Sequence, residues 1–190
     1  MARPEGPAMR VFFAVWPPGQ AGGILHRVAA AARRECGGRA MTRETIHLTL
    51  AFLGDVGVDR FPGLVQAAAA AAAGKDVRAF DLVLDRLGWW RHNRILWAGC
   101  AEPDPALPAL AEALARSLGE AGFPVERRPF AAHLTLLRDC RCEAAPAMPE
   151  PVRWPVREFV LVRSHLGQAG ARYEILGRWP LPGDPGTALD

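Results

Sequence analysis

The tetrapeptide His-Leu-Thr-Leu occurs twice, at His47–Leu50 and at His133–Leu136, in a chain with only five histidines. Side chains on an extended strand alternate faces with period two. His47 and Thr49 therefore share one face, while Leu48 and Leu50 share the other. His133 and Thr135 stand in the same relation to Leu134 and Leu136. Each strand buries its leucines and offers an imidazole and a hydroxyl. Two such strands brought together place two imidazoles and two hydroxyls in one cleft, a set suited to phosphodiester chemistry. Opening a cyclic phosphate ester with water needs a base on the attacking side and an acid at the leaving oxygen. In-line attack puts the two on opposite sides of phosphorus. Histidine serves either role, because its unperturbed pKa is about 6.5. The threonine hydroxyls can hydrogen-bond the non-bridging oxygens or orient the rings, and a nearby arginine would offset developing charge.

Other chemistries find little support. No carboxylate cluster stands ready to hold a metal, and the two-histidine reading requires neither metal nor cofactor. There is no Gly-x-Ser-x-Gly elbow, P-loop, His-Glu-x-x-His or Gly-x-Gly-x-x-Gly. Of the remaining histidines, His26 falls in a helical stretch and reads as structural, and His92 falls in a turn. His165, beside Ser164 near a strand end, is a candidate substrate contact. Cys36, Cys100, Cys140 and Cys142 lack paired Cys-x-x-Cys spacing, so free thiols are expected and a structural zinc is not.

The elements that must carry these residues follow from periodicity. Arg10–Trp16 is a short apolar and aromatic run stopped by Pro17-Pro18, a buried strand. Residues 19–35 carry Ile24, Leu25, Val28 and Ala31-Ala32 at helical spacing, ended by Gly37-Gly38. Thr45–Leu53 is a strand closed by Gly54. Phe61–Ala73 ends in consecutive alanines and is a helix. Phe80–Leu87 alternates as a strand, Trp89–Asn93 turns, and Ile95–Gly99 returns. Pro105–Gly122 sets Leu107, Leu110, Leu114 and Leu118 on one helical face. Phe130–Leu137 is the second motif strand, and Arg157–Leu166 with Arg172–Leu181 forms a last antiparallel pair across Gly167–Gly170. The order implies an α+β fold. Two pseudo-symmetric lobes are expected, each a mostly antiparallel sheet flanked by helices, with the active-site cleft between them. Residues 9–181 read as one bilobed domain, and 1–8 and 182–190 as loose termini.

Composition sets the remaining bounds. Half the residues are apolar and 23% are charged, which is globular and not disordered. No apolar run reaches the roughly 18 residues of a membrane helix. The first nine residues lack the apolar core of a signal peptide. A cytoplasmic protein is expected, with no membrane association and no obligate protein partner. The net charge is a mild +3, and of the 23 basic residues only Lys75 is lysine. Arginine forks around phosphate better than lysine does, although a GC-rich genome produces the same bias.

The paired His-x-Thr strands resemble the two-histidine (2H) phosphoesterase superfamily, and within it the RNA 2′,3′-cyclic phosphodiesterases, historically called 2′-5′ RNA ligases. The resemblance extends to RVFFAVWPP, IHLTLAFLGDV, RPFAAHLTLLRD, and a closing Ser-x-Leu with Tyr173 and RWPL, in that order. It implies hydrolysis of RNA 2′,3′-cyclic phosphate ends to 2′-phosphomonoesters, with reversible ATP-independent 2′-5′ joining as a related activity. It implies RNA with such an end as the partner, His47 as proton donor to the leaving 3′ oxygen, and His133 as proton acceptor. Arg138 stands where the family has an arginine near the phosphate, but strict alternation turns it away from His133, so a twist after Leu137 must re-aim it. Phe13, on the opening strand, is a candidate to line the cleft and stack on a base; core packing is its other reading. Two alternatives stay open: a phosphodiesterase of small cyclic nucleotides, and an RNA-end-binding protein without turnover.

Overall fold

The two His-Leu-Thr-Leu segments run antiparallel past each other and pair at a single position, Leu48 with Leu134. The computed structural model describes residues 6–126, 128–167 and 170–183. Its strands are β1 (Ala8–Val15), β2 (Arg39–Ala40), β3 (Leu48–Gly57), β4 (Phe80–Leu84), β5 (Arg86–Trp90), β6 (Ile95–Gly99), β7 (Leu134–Arg138), β8 (Val152–Val156), β9 (Glu158–Gly167) and β10 (Gly170–Pro180). Three helices interleave with them: α1 (Gly19–Cys36), α2 (Phe61–Ala72) and α3 (Ala106–Glu120). The main sheet runs β10-β9-β1-β3-β7-β6-β5, with β2 beside β7. All of its pairings are antiparallel, as the α+β expectation requires.

The two lobes are thus two arms of one sheet, joined at Leu48 and Leu134. Both leucines are fully buried, each contributing about 1.5–3 kcal/mol of hydrophobic stabilisation. The helices lock the arms together by crossing over. The helix α1 precedes β3 but packs on β7 and β8, whereas α3 precedes β7 but packs on β3. A single apolar core therefore runs beneath both arms. In α1 the apolar stripe Ala21, Leu25, Val28, Ala29 and Ala32 faces that core. Gly37 and Gly38 end the helix at positive φ. A Cβ on Gly38 would lie 2.6 Å from the Arg138 carbonyl oxygen, so glycine permits β2 to close against β7.

Several elements depart from the sequence expectation. The stretch Phe80–Leu87 is two strands, not one. The strand β4 pairs with β8 in a separate ribbon, and only β5 pairs with β6. The sequence reading did not identify β8, because Pro155 interrupts its alternating pattern. The expected loose ends fall largely outside the described residues. Of those described, Ala8 opens β1, the Val58 N–H donates to the Pro7 carbonyl, and the Ala79 N–H donates to the Pro182 carbonyl. No helix among the described residues is long and apolar enough to cross a membrane.

The expectation of four free thiols is corrected: Cys36 and Cys142 form a disulfide, and only Cys100 and Cys140 are free. The pairing of Arg39 with Arg138 brings the end of α1 beside the exit of β7, and no sequence spacing signals that approach. The bond spans a sequence separation of 106 residues. Cross-links of this kind typically contribute about 2–4 kcal/mol by restricting the unfolded chain. Reduction, or the pair Cys36→Ser with Cys142→Ser, should lower the melting temperature by roughly 5–15 °C. Calorimetry with and without dithiothreitol measures it; an unmoved transition would mean that the bond adds no stability.

Candidate active site

Opposite residues in an antiparallel ladder share a face, so burying Leu48 and Leu134 turns the motif histidines and threonines to the other side. Continuing that register sets His47 across from Thr135 and Thr49 across from His133. All four line one cleft of about 800 Å³, together with Arg138. A second, shallower groove between α2 and the end of β10 is lined by alanine, glycine, proline, Leu181 and Trp179, and holds no titratable group.

Each histidine sits one residue ahead of its strand and is fixed in the same way. The His47 Nδ1 donates to the Thr45 carbonyl at 2.8 Å, and the His133 Nδ1 donates to the Ala131 carbonyl at 2.8 Å. A carbonyl only accepts, so Nδ1 carries the hydrogen in both rings. The Nε2 lone pair of each neutral imidazole is left for substrate. Enclosure pushes the His47 pKa down to about 4, with the Arg138 guanidinium and His133 adding to the displacement. Burial, then Arg138, also pushes His133 below its ordinary value.

Aromatic rings supply that enclosure. The His47 ring stacks with Phe12 at 4.7 Å and with Trp16 at 4.9 Å, and meets the edge of Tyr173 at 5.3 Å. Phe12 and Ala14 of β1, and Trp16 just past its end, alternate on this face. They form a small apolar cluster with Val160 and Val162, separate from the main core. On the other arm Trp90 meets His133 at 4.5 Å and is backed by Trp97 at 5.4 Å. Trp97 lies flat over Gly88, where a Cβ would fall 2.1 Å from its ring, so β5 needs glycine there.

The twist expected after Leu137 lies instead before it, as a β-bulge at Leu136. The ladder between β6 and β7 steps from Thr135 opposite Trp97 to Leu137 opposite Leu96, leaving Leu136 as the extra residue. Leu136 and Leu137 are both fully buried. Alternation then resumes out of phase, and Arg138 returns to the cleft face. Arg39 lies directly across the ladder from it.

Phe13 requires correction. It is fully buried and packs against Phe159 and Trp179 in the core. Alternation on β1 turns its neighbour Phe12 to the opposite face, where it is buried against His47. His26 donates from Nδ1 to the Met41 carbonyl, the structural role expected of it. His165 is exposed and bonded to Glu174 at 2.8 Å, apart from the cleft. The sequence reading missed Trp90, His92 and Asn93, which line the cleft from the end of β5 and the turn that follows it. The turn signal was legible, but nothing local said that it folds over His133.

Comparison with known proteins bears on what such a cleft does. The family model of the 2′-5′ RNA ligase superfamily matches residues 21–168. The chain is 35% identical over 176 residues to an RNA 2′,3′-cyclic phosphodiesterase of Escherichia coli (strain K12), covering 90% of this chain and 96% of that one. It is 31% identical over 189 residues to the RNA 2′,3′-cyclic phosphodiesterase of Thermus thermophilus, covering 94% and 93%. Among solved structures, E. coli LigT complexed with 3′-AMP superposes with a TM-score of 0.84 at 31% identity, over 93% of this chain and all of that one.

Proposed function

The chain belongs to the 2′-5′ RNA ligase superfamily, and from that premise we propose that it hydrolyses RNA 2′,3′-cyclic phosphate ends to 2′-phosphomonoesters, without a metal. The observation that carries this reading is the convergence of His47, Thr49, His133, Thr135 and Arg138 on one cleft. We assign one catalytic unit to residues 9–181 and a cytoplasmic location to the enzyme.

In the proposed reaction, His133 Nε2 removes a proton from water as the water oxygen attacks phosphorus. The bond to the 3′ oxygen breaks on the opposite side, and His47 delivers a proton from Nε2 to that oxygen. The products are a 2′-phosphomonoester and a free 3′ hydroxyl. Arg138 and the two threonine hydroxyls stabilise charge on the non-bridging oxygens. A depressed pKa makes the His47 imidazolium a strong acid, which suits the donor role. A bound phosphate anion favours the charged ring, so substrate itself helps to load that proton. A 5′ hydroxyl that takes the place of water and attacks the same phosphorus as the 3′ oxygen leaves would give a 2′-5′ phosphodiester and a free 3′ hydroxyl, which is the relation between hydrolysis and ATP-independent ligation.

An oligoribonucleotide ending in a 2′,3′-cyclic phosphate, incubated with the protein and EDTA, should give the 2′ monoester at the rate seen without chelator. A 3′ monoester would contradict the assignment of the leaving oxygen. Loss of turnover in EDTA, restored by a divalent cation, would end the metal-free mechanism. Faster turnover of a cyclic mononucleotide than of the oligomer would favour a small-molecule substrate.

A further inference from the structure

Arg138 reaches the cleft from a strand end whose backbone alone sets its aim. Its guanidinium makes no hydrogen bond or ion pair among the described residues. Asp139, the next residue, lies in the left-handed region at φ 57°. A residue other than glycine keeps that conformation when its surroundings impose it. Asp139 pairs with Arg94 at 2.8 Å, but both side chains are exposed, so the pair is weak. The Cys140 N–H donates to the Arg94 carbonyl at 3.1 Å, and the Arg141 N–H to the Cys36 carbonyl at 2.8 Å. The Cys36–Cys142 bond then ties this turn to the end of α1.

Gly37, Gly38 and Arg39 lead from Cys36 back to Arg138, which Arg39 faces across the β2–β7 ladder. On the β2 side that ladder is only two residues long. Arg39 also lacks a partner among the described residues, and like charges directly opposite repel. The disulfide therefore closes a covalent ring around two arginines that push apart. Its sulfurs lie just under the surface, because Gly37, Arg141 and Glu143 beside them are exposed. In the cytoplasm assigned above, thiol buffers keep most cysteines reduced, and the disulfides that form are largely catalytic or redox-sensing.

We propose that the Cys36–Cys142 bond is a redox-controlled positioning element for Arg138, closed in the more active enzyme and opened by low-molecular-weight thiols. This rests on the phosphodiesterase reading. Opening proceeds by thiol–disulfide exchange. One glutathione thiolate attacks a sulfur of the bond and expels the other as a thiolate, leaving a mixed disulfide. A second glutathione thiolate frees the remaining cysteine and departs as glutathione disulfide. The two protons shed by the glutathiones end on the cysteines.

The test poises the intact chain in glutathione buffers from reduced to oxidised and counts its thiols by alkylation and mass spectrometry. Turnover of an oligoribonucleotide 2′,3′-cyclic phosphate is measured where circular dichroism shows both forms folded. Opening the bond should lower kcat/KM roughly tenfold, the order expected when a catalytic group shifts by less than about 1 Å. The alkaline limb of the kcat/KM profile should move upward with it, since Arg138 helps to depress both imidazoles. Cys36→Ser and Cys142→Ser should hold the lower value in every buffer, whereas Cys100→Ser should respond as wild type does. Arg138→Ala should not respond, because a displaced arginine and a missing one lose the same contact. A bond closed at every glutathione ratio, equal activity of the two forms, a static alkaline limb, or an undiminished response in Arg138→Ala would overturn the proposal. If neither form hydrolyses the substrate, the phosphodiesterase reading fails instead. Affinity for the 2′-phosphorylated oligomer, read by fluorescence anisotropy in the same buffers, then decides: it should weaken on reduction in wild type and not in Arg138→Ala, and an unchanged wild-type value would sink the device.

Discussion

His47→Ala and His133→Ala are each expected to lower kcat on an RNA 2′,3′-cyclic phosphate by about 10²–10⁴-fold, the usual contribution of a positioned proton-transfer group. Both rings sit one residue before a strand and bond only to a local carbonyl, so the ladder survives their loss. Thermal melts and circular dichroism should confirm folded variants. The double variant should be little worse than either single one, because half of an acid–base pair does not complete the reaction. A 3′ bridging sulfur separates the roles. Thiolate leaves without a proton, so this substrate should rescue the acid-deficient His47→Ala and leave His133→Ala slow. Rescue of the other variant would exchange the roles.

The pH dependence follows from the same rings. The productive free enzyme holds one proton between the two imidazoles. That form is populated between the two macroscopic pKa values of the pair. The lower lies at about 4, and the upper is below the ordinary histidine value. The kcat/KM optimum should therefore lie on the acid side of about pH 6.5 and fall at higher pH as the pair becomes fully neutral. The kcat optimum should lie higher, because bound phosphate raises both pKa values. Stability runs the other way: rings with depressed native pKa values bind protons more readily unfolded, so stability falls as pH drops from 6.5 toward 4.

Much of this site was legible in the sequence because its determinants are local. Period-two alternation in His-Leu-Thr-Leu dictates which side chains meet the core and which line the cleft, and Leu48 and Leu134 obey it. What escaped depends on contacts between distant segments. The choice between Phe12 and Phe13 turns on which face of β1 meets the main core, and both residues are apolar. The disulfide depends on β2 closing against β7. The strand β8 is held by its ladder to β4, not by propensity. The bulge is intermediate: Leu-Leu before Arg138 breaks the alternation visibly, but only the ladder fixes where the extra residue goes.

Arg138 is where that irregularity acquires chemical meaning, and its replacement should be the second most damaging change. Arg138→Ala removes a fork that can hold two phosphate oxygens at once. By analogy with other preorganised donors to developing charge, kcat/KM should fall about 10²–10³-fold. Arg138→Lys restores the charge without the fork and should recover only part of the loss. A second signature follows from electrostatics. The guanidinium is among the causes that depress both imidazoles, so its removal lets both pKa values rise. The alkaline limb of the kcat/KM profile should then move upward in Arg138→Ala and stay near its wild-type position in Arg138→Lys. An arginine that merely braced the strand would reduce activity without moving the limb. A lysine variant as active as wild type would show that charge alone suffices, and that the fork delivered by the bulge at Leu136 is dispensable.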